Sequence, residues 1–120
     1  MKKVIVNYPG DNLFTIHLED APTHDQILDN VFASCNYGSG SECKEFRDAQ
    51  VRSLSVNDFV RIDSQWYQCA SFGWKNVSEE FVDEIEKLVV DHPRYKDDGG
   101  WSALNDIMWT RRKDSHISRE

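Results

Sequence analysis

A chain of 120 residues with 14 Lys and Arg against 21 Asp and Glu, a net charge of -7, a mean hydropathy of -0.64 and 12% aromatic residues is too rich in aromatics for a disordered polymer and too polar for a membrane protein. Its length suits one domain that buries roughly two-thirds of its unfolded surface without covalent staples. Three cysteines with no CxxC pair argue against a disulfide framework and against a structural zinc site. The start Met1-Lys2-Lys3-Val4-Ile5-Val6-Asn7 holds too short an apolar run for a secretory leader, which predicts residence in the cytosol.

Val4 to Asn7 and the alternating run Leu13 to Leu18, with Phe14, Ile16 and Leu18 on one face, flank Pro9-Gly10-Asp11-Asn12 and predict a first hairpin. Thr23-His24-Asp25-Gln26, after Pro22, has the form of a capping box, in which the Thr23 hydroxyl accepts from a first-turn amide and Gln26 reaches back. The helix it opens places Ile27, Leu28, Val31, Phe32 and Cys35 on one face and ends at Asn36-Tyr37-Gly38. Tyr37 to Ser41 is an exposed loop; it lacks the lysine of a P-loop and the third glycine of a dinucleotide loop, so no phosphate site is expected there. Cys43 to Gln50 reads as a short helical turn.

Between Arg52 and Trp74, Asn57 and Asp58 open a strand that runs through Phe59-Val60-Arg61-Ile62, Asp63-Ser64 makes a tight turn, and Trp66, Tyr67 and Cys69 lead the return. Gly73 marks a backbone that needs positive φ or close approach, just before a helix begins. Asn76 and Ser78 are candidate caps, Glu79 and Glu80 fill a first turn where the helix dipole favours anions, and Val77, Phe81, Ile85, Leu88 and Val89 line one face. Asp83 and Lys87 are spaced for an i,i+4 ion pair, and Pro93 stops the helix. A Lys96 to Gly100 turn leads to a shorter helix from about Ser102, with Leu104, Ile107 and Met108 on one side. The expected fold is α+β over residues 1–110: a twisted antiparallel sheet of about four strands in two hairpins, with two to three helices packed on one face. Residues 111–120 are expected to be a polar, frayed tail.

Leu54-Ser55-Val56, Asp58 and Val60, followed by Trp66-Tyr67 and the pair Gly73-Trp74, resemble the small YodL-like domains of phages and other mobile elements. The resemblance covers about residues 52–74 and brings a setting without a catalytic residue: it implies an accessory protein of a mobile element, expressed in a bacterial cytoplasm.

The residues themselves point away from catalysis. His17, His24, His92 and His116 are scattered without HxH or HxxxH spacing, Ser39, Ser53 and Ser55 sit in no GxSxG elbow, and Cys35, Cys43 or Cys69 would need a histidine brought close by the fold. No enzyme, no cofactor and no metal are expected. The charge carries more. Acidic residues outnumber basic ones by eight within residues 1–98, a surface that repels phosphate backbones and complements a basic groove on another protein. Direct nucleic-acid binding is therefore disfavoured, and no membrane partner is expected from the mean hydropathy of -0.64. With the mobile-element setting, the expected function is inhibition of a host defence complex, anti-CRISPR or anti-restriction, by an acidic surface that occupies a nucleic-acid-binding site. Glu79, Glu80, Asp83, Glu84 and Glu86, with Asp97 and Asp98, are the candidate contacts. The alternative is a protein-interaction adaptor that uses exposed aromatics, Trp101 after Gly99-Gly100 and Trp109 beside Arg111-Arg112-Lys113, since tryptophans anchor interfaces.

Overall fold

The computed structural model describes residues 1–117, with side chains described through Arg111. The elements run β1 (Lys2–Tyr8), β2 (Asn12–Leu18), α1 (His24–Ser34), α2 (Lys44–Ala49), β3 (Phe59–Ile62), β4 (Gln65–Cys69), β5 (Trp74–Val77), α3 (Glu79–Val90), α4 (Tyr95–Asp98) and α5 (Trp101–Ile117). The five strands form one open antiparallel sheet in the order β2-β1-β3-β4-β5. Every pairing joins strands adjacent in the chain except β1 with β3, where Val4 faces Ile62 and Asn7 faces Phe59. None of the described helices is long and apolar enough to cross a membrane.

The α+β class holds, with three corrections to the architecture; the first is that five helices stand where two to three were expected, since the segments at Lys44–Ala49 and Tyr95–Asp98 are short helices of their own. The sheet gains a fifth strand because Trp74 to Val77 pairs with β4, Cys69 opposite Trp74 and Trp66 opposite Val77. Asn76 is therefore a strand residue, and Ser78 alone caps α3, its hydroxyl accepting from the Phe81 amide at 3.1 Å. Helices also cover both faces of the sheet, not one. On the first face Val4, Val6 and Tyr8 of β1, Ile16 of β2, Val60 and Ile62 of β3 and Tyr67 of β4 pack with Ile27, Leu28 and Val31 of α1 and Phe46 of α2. On the second, Phe59 and Trp66 pack with Val82, Ile85 and Val89 of α3 and Ala103 and Leu104 of α5. The physical reason lies in the strands: successive apolar residues, Val4-Ile5-Val6, Phe59-Val60 and Trp66-Tyr67, point to opposite sides and need cover on both.

Half of the expected capping box is present at the first helix: the Thr23 hydroxyl accepts from the Gln26 amide at 3.3 Å, while among the described residues the Gln26 side chain makes no return bond. Two expected core residues turn outward: Phe32 of α1 and Leu88 of α3 are exposed, Leu88 by 41%. In α3 the buried residues are Val82, Ile85 and Val89, so the inward stripe is rotated from the expected one. Phe14, Ile16 and Leu18 lie with the first core and Phe81 and Ile85 with the second; the sheet separates them. The last helix starts at Trp101 and continues past Arg111 to Ile117, through the first part of the segment expected as a tail. The side chains of Arg112 and Lys113 and the end of that segment lie outside the described residues.

Candidate binding cleft

At the end of the sheet where β1 finishes and β3 begins, three connections meet. The β1–β2 turn is Pro9-Gly10-Asp11, closed by the Asp11 amide donating to the Tyr8 carbonyl at 2.9 Å. Gly10 has φ +74°, and a Cβ there would lie 2.5 Å from a Val89 methyl. Its amide donates to Glu86 Oε2 at 2.9 Å and its carbonyl accepts from the Tyr95 hydroxyl at 2.6 Å, so α3 and α4 hold the turn from behind. Gly100, at φ +102°, packs so closely that a Cβ would be 2.9 Å from the Pro9 carbonyl. Only glycine fits both the conformation and the space. The third connection follows α2, whose C-cap Gln50 is left-handed at φ 54°.

These pieces enclose an open cleft of about 600 Å³ lined by Asp11, Asn12, Ala49, Gln50, Val51, Arg52, Asp98 and Trp101. Beneath its floor lies a buried ion pair. The Asp58 carboxylate is 0% exposed and receives Arg52 through both guanidinium nitrogens, at 2.6 and 2.8 Å, and the Ser55 amide at 2.8 Å. Burial strips the Asp58 carboxyl of water and lifts it above its ordinary value, against the pull of Arg52. Three converging donors, two of them charge-assisted, mark it as the anion of the pair at neutral pH. Arg52 also stacks 4.6 Å over the Tyr8 ring, while the Tyr8 hydroxyl donates to the Arg52 carbonyl at 2.8 Å. At the cleft wall, Asp98 accepts from the Ser102 hydroxyl at 2.6 Å and its amide at 3.0 Å. Those bonds hold its carboxyl below the usual range.

Of the residues expected to contact a partner, Asp98 and Trp101 are brought together here. The others divide. Glu79, Glu80 and Asp83 stand exposed on α3. Glu84 is paired with Arg111, which also lies over the Phe81 ring; Glu86 is turned to Gly10; Asp97 is paired with Arg94, which also binds Asp106 at 3.0 Å. The expected Asp83–Lys87 pair is not formed among the described residues, and four of the seven carboxylates are engaged within the molecule. The tryptophans are freer. Trp101 is 43% exposed and Trp109 65%, and with Asn105 between them they follow one stripe of α5 at i, i+4 and i+8, about 12 Å from end to end.

Several features escaped the sequence reading. Phe72, at the tip of the β4–β5 turn, is 96% exposed. The Tyr37–Ser41 loop wraps one of its own neighbours: the Gly38 amide donates to Glu42 Oε2 at 3.1 Å and Ser39 Oγ lies 3.4 Å from Glu42 Oε1, so a carboxylate of the chain takes the place an outside anion would need. His24 sits between Tyr67 (2.6 Å to the hydroxyl) and Asp63 (3.0 Å), and Asp63 also holds Lys2 at 2.7 Å, tying α1 to the β3–β4 turn. Asp11, Gln50 and Arg52 carried no motif that marked them; only their convergence does. The thiols are quiet: burial pushes Cys35 up to about 12 and Cys69 up to about 11. Among the described residues no three metal-ligating side chains converge. Comparison with protein-family models, curated proteins and solved structures finds no match to this chain.

Proposed function

We propose that the chain is a non-catalytic protein-binding module that engages its partner through the tryptophan stripe of α5 and the cleft at its start. The observation that carries this reading is the pair Trp101 and Trp109, both substantially exposed on one stripe of a helix packed firmly against the second core. Large, rigid aromatics left in water at fixed spacing are the usual anchors of protein interfaces.

A second reading draws on Glu79, Glu80 and Asp83, which face solvent over the first turns of α3. They favour inhibition of a host defence complex, anti-CRISPR or anti-restriction, in which a mobile-element protein covers a basic nucleic-acid-binding surface with carboxylates. One experiment separates the two. The tagged protein is used to capture its partner from host lysate at low and at high salt, beside a Trp101→Ala/Trp109→Ala variant and a Glu79→Gln/Glu80→Gln/Asp83→Asn variant. Aromatic anchoring predicts capture that resists salt and is lost with the tryptophans, each worth about 2 kcal/mol or more at a hot spot, or roughly thirtyfold. Capture that collapses in salt and with the neutral amides, while surviving loss of the tryptophans, would give the acidic inhibitor first place.

A further inference from the structure

We propose that the cleft receives an arginine side chain of the partner, stacked on Trp101 and held between the carboxylates of Asp11 and Asp98. The proposal rests on the binding-module reading and specifies the chemistry of what is bound.

Charge selects the class of ligand. The cleft carries Asp11, Asp98 and Arg52, and the Arg52 charge is matched by Asp58 directly beneath it. Two carboxylates are thus left over. Bonds from Ser102 hold the Asp98 carboxyl below its usual range, and a carboxylate oxygen that accepts one bond keeps a second lone pair for a ligand. Asp11 also lines the cleft, its carboxylate against Gly99, the neighbour of Asp98, where a Cβ would be 3.3 Å from Oδ1. The clamp on Gly10 by Glu86 and Tyr95 fixes the turn that carries it. An anionic guest would meet both carboxylates and find its only cation already bidentate to Asp58. A cation is the complementary guest.

Shape narrows the class further. Trp101, at the first position of α5, is a lining residue of the cleft and 43% exposed, and the guanidinium is the cation that stacks on an aromatic face while reaching carboxylates with planar, forked donors. An ammonium makes the same charge contact without the plane. The cleft is open to solvent on one side, which suits a side chain projecting from a partner's surface, and the stripe from Trp101 to Trp109 continues away from it as the bed for the rest of that surface.

The test uses the full chain, labelled with nitrogen-15, and a blocked pentapeptide with one central arginine flanked by glycines. The indole N–H signal of Trp101 is assigned by its disappearance in Trp101→Phe. Titration with the arginine peptide at millimolar concentrations should move that signal saturably, and Asp11→Asn should weaken the binding about tenfold, the loss of one charge-assisted contact. The citrulline peptide, which keeps the shape and lacks the charge, should leave it in place. The proposal is overturned if the Trp101 signal does not move, if citrulline moves it equally, or if the lysine peptide binds as tightly as the arginine one. These outcomes leave the binding-module reading to its own test, because loss of partner capture in the Trp101→Ala/Trp109→Ala variant does not depend on which side chain fills the cleft.

Discussion

The buried pair under the cleft makes a quantitative prediction. Asp58→Ala removes a carboxylate that is 0% exposed; it leaves the Ser55 amide unpaired and the Arg52 guanidinium, whose side chain is 27% exposed, with no counter-charge there and one bond to the Ser53 carbonyl at 3.2 Å. Breaking a buried ion pair on one side costs about 3–5 kcal/mol. The lower end applies here, because Arg52 borders an open cleft and can turn toward water. A loss of about 3 kcal/mol, against the 5–15 kcal/mol of an ordinary small domain, lowers the melting temperature by roughly 10–20 °C. Arg52→Ala strands the carboxylate instead and also strips the cation from the Tyr8 ring. The double variant leaves neither charge unpaired, so its destabilisation should fall short of the sum of the singles by about 1–3 kcal/mol. Urea unfolding followed by tryptophan fluorescence and by circular dichroism measures all four corners of the cycle. Additive singles, or an Asp58→Ala protein as stable as its parent, would refute the idea that these two side chains are mutually dependent.

The two faces of α3 and the acid limb of stability give two more tests. Ile85→Asp buries an unpaired carboxylate in the second core and should unfold the domain, whereas Leu88→Asp, at a position 41% exposed, should shift stability by about 0.5–1 kcal/mol; thermal melts that rank the two the other way would reverse the assignment of the helix face. The Asp63 carboxyl is held below its usual range, first by its hydrogen bond from Lys2 and then by that to His24. A carboxyl whose folded pKa is depressed stabilises the fold above its unfolded value near 3.9 and loses that contribution as pH falls through the folded value. Wild-type melting temperature should therefore drop between about pH 5 and pH 2, and Asp63→Asn should show a shallower drop over the same window; parallel curves for the two proteins would remove Asp63 from the account.

Much of the fold could be read from short-range chemistry. Alternation in Leu13 to Leu18, the Asp63-Ser64 turn, the hydroxyls of Thr23 and Ser78 and the stop at Pro93 each act within a few residues, and each appears where the sequence places it. What the sequence hid depends on distant partners. Trp74 to Val77 is a strand only because β4 lies beside it; on its own, a segment of four residues before a capping serine is equally a helix approach. Val82, Leu88, Val89 and Val90 surround α3 with apolar groups, so periodicity alone does not choose between Val82 and Leu88 for the interior. The continuous apolar runs of β1, β3 and β4 did signal two covered faces, and that signal is visible in retrospect. The cleft was legible only in part: Asp98 and Trp101 stood out as an exposed acid and an exposed aromatic, but Asp11, Gln50 and Arg52 gain meaning only when three connections far apart in the chain converge.

The lone pairing between non-consecutive strands divides the molecule into two locally wired halves. β1 with β2, and β3 with β4 and β5, are hairpins that close over a few residues, while joining Asn7 to Phe59 closes a loop of 52 residues, which costs roughly 2 kcal/mol more in chain entropy than a loop of about four. During synthesis the first hairpin must wait, the outer edge of β1 unpaired, until β3 emerges to receive it. The cleft takes Asp11 from the first half, Gln50 and Arg52 from the connecting segment and Asp98 and Trp101 from the second. An incomplete or unjoined chain thus has no cleft at all, and any partner that recognises it recognises only finished molecules.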